Sequence, residues 1–185
     1  MTGLDRAQQS GPMLIRCETA ADVAPIHAVH AAAFAPTADP GSPVVEADLV
    51  DALRACDAWL PALSFVAAGR DGDVVGHVVC SRAHVDGTPV LGLGPLGVHP
   101  SVQRQGVGHA LMHAVLGAAD ALGEPLVVLL GHADYYPRFG FGPAKDYGIV
   151  PPVAEWGPHF QVRPLTAYHP SIRGAFVYAG PFNEL

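Results

Sequence analysis

The sequence predicts a single α/β domain in which helices flank a mixed β-sheet. Three observations carry that prediction. Residues 103–122 place Val107, Leu111, Val115, Ala118 and Leu122 along one helical face, widened by Met112 and Leu116. Residues 126–130 are an unbroken apolar run, the pattern of a strand covered on both faces. Between residues 63 and 98, apolar segments are punctuated by Asp71-Gly72 and Asp86-Gly87, which are turn signals.

Taken in order, residues 13–17 form a short apolar strand. Thr19 follows as a helix N-cap, with Asp22 three positions on where a capping-box partner belongs. Residues 22–34 carry apolar side chains at helical spacing. Residues 36–43 are a Pro-, Gly- and Ser-rich loop ending in Ser42-Pro43, a cap followed by the proline that a first helical turn accepts. Val45, Leu49, Ala52 and Leu53 then make one face of a second helix. Residues 63–68 and 74–83 pair as a β-hairpin, and residues 90–98 are the next strand. Gly123 ends the long helix. Residues 135–139 form one short helix, and residues 147–150 and 175–178 are late strands.

A chain of 185 residues suits one domain with a sizeable core. Half its residues are hydrophobic and 15% are charged, which argues against disorder. Residues 1–12 read as a flexible polar lead without an apolar signal core, and residues 13–185 as the domain. The formal net charge is -7, Lys145 is the only lysine, and the arginines are scattered, so nothing tracks a nucleic-acid backbone. An acidic surface favours a cationic amine over an acidic partner. Cys17, Cys56 and Cys80 include no C-x-x-C pair and build no disulfide framework, which fits a reduced, cytoplasmic setting. No apolar run approaches the ~20 residues of a membrane span.

The chemistry concentrates at residues 96–109. A strand ends at Val98, a short turn follows, and a helix opens near Gln105. The first turn of a helix offers about four unpaired N–H groups and a positive dipole end, a natural seat for phosphate. Gly106 and Gly108 keep Cβ atoms away, and Arg104 adds a cation. The same glycines would also serve a plain tight turn.

The run Gln103-x-x-Gly106-x-Gly108 resembles the Q/R-x-x-G-x-G/A motif of the GNAT superfamily of N-acetyltransferases. Residues 94–100 look like that family's central strand, and residues 135–141, Tyr-Tyr-Pro-Arg-Phe-Gly-Phe, like its Y-x-x-x-G-F segment with Tyr136 in the tyrosine place. The order of elements fits from residue 13 through 141, and the C-terminal stretch fits more loosely. The resemblance implies a mostly antiparallel sheet with a splayed central strand pair, residues 90–98 parting from residues 126–130. It implies acetyl-coenzyme A as co-substrate, without a metal. Backbone groups of Leu96, Gly97 and Val98 would hold the acetyl carbonyl and pantetheine arm, and those of Gln103, Arg104, Gln105, Gly106, Val107, Gly108 and His109 the pyrophosphate. It also allows for a homodimer.

Transfer of an acetyl group from a thioester to an amine raises two proton problems. A lysine-like amine must lose a proton at a cost of roughly 4–5 kcal/mol at pH 7, and the departing thiolate needs a donor. Tyr136 is the expected general acid, with Tyr135 as its adjacent rival. The base stays open among Glu46, which could instead bind the acceptor, His77, His84, His132 and a water relay. The acceptor itself, a small-molecule or peptide amine, is not readable. A coenzyme A-binding module without turnover is the alternative.

Other signals are discounted. Gly92, Gly94 and Gly97 satisfy G-x-G-x-x-G, but Pro95 and His99-Pro100 interrupt where a dinucleotide fold needs a helix. His109 and His113 sit four apart without a third metal ligand. No G-x-S-x-G elbow occurs. Nothing marks a cysteine as an acyl carrier, so direct transfer is expected.

Overall fold

The computed structural model describes residues 13–35 and 44–184. Among them, strands run β1 (Leu14–Cys17), β2 (Ser64–Ala68), β3 (Val74–Val85), β4 (Thr88–Val98), β5 (Leu126–Leu130), β6 (Gly142–Pro143), β7 (Ile149–Val150), β8 (Phe160–Pro164) and β9 (Gly174–Val177). The helices are α1 (Val23–Phe34), α2 (Val45–Arg54) and α3 (Val107–Ala121). The main sheet has the spatial order β1-β2-β3-β4-β5-β8-β6. Its pairings are antiparallel except for β4 beside β5. β9 pairs with the end of β3, and β7 lies parallel to β9. Among the described residues no helix is long and apolar enough to cross a membrane.

Alternation along β3 explains the layers. Val78 and Cys80 turn to one face, where they meet Leu111, Met112 and Val115 of α3. Val79 turns to the other face, against Leu49 and Leu53 of α2. Ile26 of α1 and Val50 of α2 close over Val66 of β2 on that same face. Each such fully buried aliphatic side chain contributes roughly 1.5–3 kcal/mol. Glu124, just ahead of β5, forms a bidentate ion pair with Arg82 of β3 at 2.6 Å for both contacts.

The start of α1 follows the sequence reading. The Thr19 N–H and hydroxyl both donate to Asp22, at 2.7 and 2.8 Å, and Arg16 clamps the same carboxylate at 2.6 and 2.9 Å. One 3-10 turn, Ala20–Asp22, intervenes before α1 proper.

Several expectations need correction. The long helix begins at Val107 rather than residue 103, because Arg104 (φ 62°) and Gly106 (φ 87°) are left-handed and cannot lie within it. Leu122 is 57% exposed rather than on the buried face. In α2 the buried face is Ala47, Leu49, Val50 and Leu53, while Val45 points out at 43% exposure. Leu130 is 44% exposed, so only the first four residues of β5 are covered on both sides. The strand expected over residues 147–150 shrinks to Ile149–Val150, because Ala144–Tyr147 is a 3-10 turn ended by left-handed Gly148. Strand β8 has no counterpart among the strands expected from sequence. The Ser42-Pro43 helix start and the residue 1–12 lead lie outside the described residues.

Candidate active-site cleft

β4 pairs with β3 as far as Gly76↔Val98. Toward β5 it is in register only at Leu91↔Val127 and Gly92↔Val128. Past Gly92 the two strands part, while β5 continues against β8 to Leu130↔Phe160. The parted ends open into a cleft of about 930 Å³, with Leu96 and Val98 in its wall. A strand end without a neighbour presents unpaired N–H and C=O groups to whatever enters.

One end of the cleft is positive. After a 3-10 turn, Pro100–Val102, the chain is tied down by two side-chain amides. Gln103 Nε2 donates to the Val98 carbonyl at 3.1 Å, and Gln105 Nε2 to the Ser101 carbonyl at 3.3 Å. The left-handed conformations of Arg104 and Gly106 shape the loop that leads into α3, whose first N–H groups have no partner within the helix. Gln103, Arg104, Gly106, Val107, Gly108 and His109 line the cleft here; Gly97 and Gln105 do not. A Cβ on Gly108 would sit 3.3 Å from the Tyr135 hydroxyl oxygen, a tight contact that the ring would have to ease by a few tenths of an ångström. Arg138, which the sequence reading did not single out, also lines this end. Its guanidinium stacks 4.7 Å from the Tyr135 ring centre, and its Nε donates to the Tyr135 carbonyl at 2.8 Å.

The two tyrosines divide the cleft. Their rings meet edge-to-face at 5.0 Å and 89°. Tyr135 reaches toward Gly108, whereas Tyr136 lies against Gly131, where a Cβ would overlap its ring, and against Phe141 at 5.9 Å. Burial, aided by neighbouring Tyr135, pushes the Tyr136 hydroxyl up to about 12. It therefore holds its proton throughout the neutral range.

The candidate bases scatter. Glu46 is half-buried on the first turn of α2 and does not line the cleft. His84 is exposed on β3, beside Pro89 and Val177. His132 is exposed and lines the cleft. His77 is completely buried and hydrogen-bonds His30 and Ser64. His109 and His113 bring their Nε2 atoms within 3.0 Å of each other, and no third ligand joins them among the described residues.

The Acetyltransferase (GNAT) family model matches residues 33–141, which hold β4, the Gln103–Gly108 loop and Tyr136. N-acetyltransferase YjhQ of Escherichia coli (strain K12) is 37% identical over 144 residues, 74% of this chain and 79% of the relative. The structure of GNAT family N-acetyltransferase YhbS from Escherichia coli, in complex with CoA, superposes with a TM-score of 0.83 at 29% identity, over 94% of this chain and 95% of that one. A GNAT family acetyltransferase from Brucella melitensis, in complex with acetyl-CoA, gives a TM-score of 0.74 at 35% identity, over 92% and 98%. With the splayed strands and the motif both in place, this chain belongs to the GNAT family of acetyltransferases.

Proposed function

We propose that the protein transfers an acetyl group from acetyl-coenzyme A to a primary amine, by direct attack within a ternary complex. The observation that carries this reading is that one cleft along the free end of β4 is lined by a helix N-terminus, Arg104, Arg138 and Tyr136. Two similar proteins, from Escherichia coli and Brucella melitensis, are known in complex with CoA or acetyl-CoA. The donor end fits an anion because the N-terminus of α3 carries unpaired N–H groups and a positive dipole end, and Arg104 and Arg138 line the same cleft. The wall at Leu96 and Val98 fits an amide-bearing arm.

The bound thioester supplies the acyl group. Tyr136 gives its phenolic proton to the departing sulfur, a role supported by its place in the cleft and by a hydroxyl that stays protonated at neutral pH. A cysteine intermediate is disfavoured, because none of Cys17, Cys56 and Cys80 lines the cleft, and Cys80 is fully buried with its thiol pushed well above the usual range.

An amine panel assayed for thiol release from acetyl-coenzyme A tests the reading. Tyr136→Phe should lower kcat by roughly 10²-fold with cofactor affinity unchanged. Full activity in that variant would remove the general-acid role. Tight coenzyme A binding without thiol release from any amine would favour a non-catalytic module instead.

A further inference from the structure

Just past the end of β5, one backbone carbonyl is held by two side chains. Gly131 is the first residue beyond the strand, and its N–H donates to the His159 carbonyl at 2.9 Å. Its own carbonyl accepts from Gln161 Nε2 at 3.2 Å and lies 3.3 Å from His159 Nδ1. His159 is exposed, so water can take the place of its bond. Gln161 is only 2% exposed. Across the ladder it meets Leu129 on one side and Pro143 on the other, neither of which has a hydrogen-bonding side chain.

A buried amide gives up its hydration and recovers the loss only through hydrogen bonds, whereas a hydrocarbon side chain of the same length would carry no such cost. Chemistry fixes the direction of the bond. A carbonyl oxygen only accepts, so the amide must present its NH2.

Sheet geometry puts this amide beside the tyrosine. Gln161 and Leu129 are directly opposite in an antiparallel pair, so their side chains share a face. Gly131, two residues beyond Leu129, turns to the same face. That is the face covered by α3, where Leu129 packs. Gly131 places no Cβ there, and the Tyr136 ring occupies the space instead.

The bond also reaches Tyr136 through the backbone. Glycine is the residue least able to hold its own backbone angles. A peptide unit is planar, so pinning the Gly131 carbonyl also fixes the plane that carries the His132 nitrogen. The His132 carbonyl in turn accepts from the Tyr135 and Tyr136 N–H groups, at 3.0 and 3.5 Å, where the 3-10 turn Tyr136–Phe139 begins. The Tyr136 ring is thus set twice, by its contact with Gly131 and by the turn that departs from it.

Resting on the reading of Tyr136 as general acid, we propose that Gln161 is a positioning residue for the transfer. Its buried amide fixes Gly131, and Gly131 holds the Tyr136 hydroxyl at the depth in the cleft from which it protonates the departing sulfur. Proton transfer needs heavy atoms within about 2.6–3.2 Å. A misplacement of about 1 Å can cost about 10²-fold in rate, so loss of this one anchor, with the ring still packed, should cost about 10-fold.

Variants of the full chain test this in thiol-release assays with the fastest amine of the panel. Gln161→Met keeps the length of the side chain and removes the amide. It should lower kcat about 10-fold, with the KM for acetyl-coenzyme A and the calorimetric affinity for coenzyme A within about twofold of wild type. In a Tyr136→Phe background the same substitution should cost less than about twofold, because no phenolic proton is left to place. Gln161→Glu adds a pH signature. A neutral carboxylic acid donates one O–H to the Gly131 carbonyl, and a carboxylate donates nothing. Burial raises the pKa of the introduced group, so kcat relative to wild type should be near one at low pH and fall about 10-fold as pH rises.

A folded Gln161→Met with wild-type kcat, beside an impaired Tyr136→Phe, overturns the positioning role and leaves the general acid standing. An equal loss from Gln161→Met in both backgrounds shows that the amide acts on something other than Tyr136 and overturns it too. Should Gln161→Met fail to fold, a pH-independent ratio for Gln161→Glu overturns it instead. Wild-type kcat in Tyr136→Phe sinks the general-acid reading itself, and the positioning role with it.

Discussion

Gly97→Ala adds a single methyl group, yet the structure gives it nowhere to go. The new Cβ would lie 2.6 Å from His30 Nδ1 and 2.9 Å from Cε1, whereas ordinary contact begins near 3.4 Å. Gly97 is held by its register opposite His77, so the strand cannot back away. The ring would have to retreat by roughly 0.8 Å to restore ordinary packing. Behind it stand His77, hydrogen-bonded at 2.8 Å, and the stacked Phe34 ring. Overpacking of this kind costs roughly 1–3 kcal/mol. Breaking the His30–His77 hydrogen bond inside the protein adds roughly 1–3 kcal/mol. A loss near 4 kcal/mol, at about 2–4 °C per kcal/mol for a chain of this length, lowers Tm by roughly 8–16 °C.

Calorimetric or circular-dichroism melting measures that loss, with Gly117→Ala as the control. Gly117 lies on the exposed side of α3, where an added methyl would have nothing within 4 Å, so that substitution should gain up to about 1 kcal/mol. The cause is isolated by repeating Gly97→Ala in a His30→Ala background. With the ring gone, the methyl should cost less than about 1 kcal/mol, leaving a large coupling energy between the two sites. A Gly97→Ala protein that melts within about 2 °C of wild type, or costs that simply add in the double variant, would refute the reasoning.

Three further outcomes are expected. Gly131→Ala should displace the Tyr136 ring that lies where its Cβ would go, lowering kcat at least ~10-fold while leaving coenzyme A affinity within about twofold; unchanged kcat would detach Tyr136 from the chemistry. Arg104→Ala and Arg138→Ala should each weaken coenzyme A binding about 3- to 10-fold at low salt, with the difference shrinking in 0.5 M salt; calorimetric titration at two ionic strengths checks this. Because the Glu18 carboxyl is lowered on folding from 4.5 to about 2, it stabilises the fold above its unfolded value, and that contribution is lost as pH falls through the folded one. At about 1.36 kcal/mol per pH unit this amounts to roughly 3 kcal/mol, so wild type should lose more stability than Glu18→Gln between pH 5 and pH 2, as acid unfolding curves would show.

Much of the donor half of the site is legible in the sequence because its signals are local. The apolar run of β5, the Asp-Gly turns around β3 and the glycine spacing at residues 103–108 each specify their own backbone. What the sequence hides depends on partners far away in the chain. β8 does alternate, apolar at Phe160 and Val162 and polar at Gln161 and Arg163, but the run is only four residues long between prolines, and its place in the sheet comes from pairing with β5 30 or more residues earlier. The start of α3 reads too early because left-handed Arg104 looks like an ordinary helix former in sequence. The choice between Tyr135 and Tyr136 rests on a 3-10 turn, Tyr136–Phe139, whose rotation decides which ring meets Gly108 and which meets Gly131. His77 is among the candidate bases, but its partners lie on different elements and a loop, so spacing alone does not assemble them.

Gly97 brings these two kinds of information together. By resemblance it is one of three positions whose backbone N–H and C=O groups would hold a bound thioester, a role that makes no demand on its side chain. The structure adds that demand. Successive residues of a strand turn to opposite sides, and the side on which Gly97 lacks an atom is the one that His30 occupies, next to cross-strand neighbour His77. Any side chain at this position would expel the imidazole from the seam between α1 and β4. It is therefore the buried histidines, and not the occupant of the cleft, that require glycine at this position.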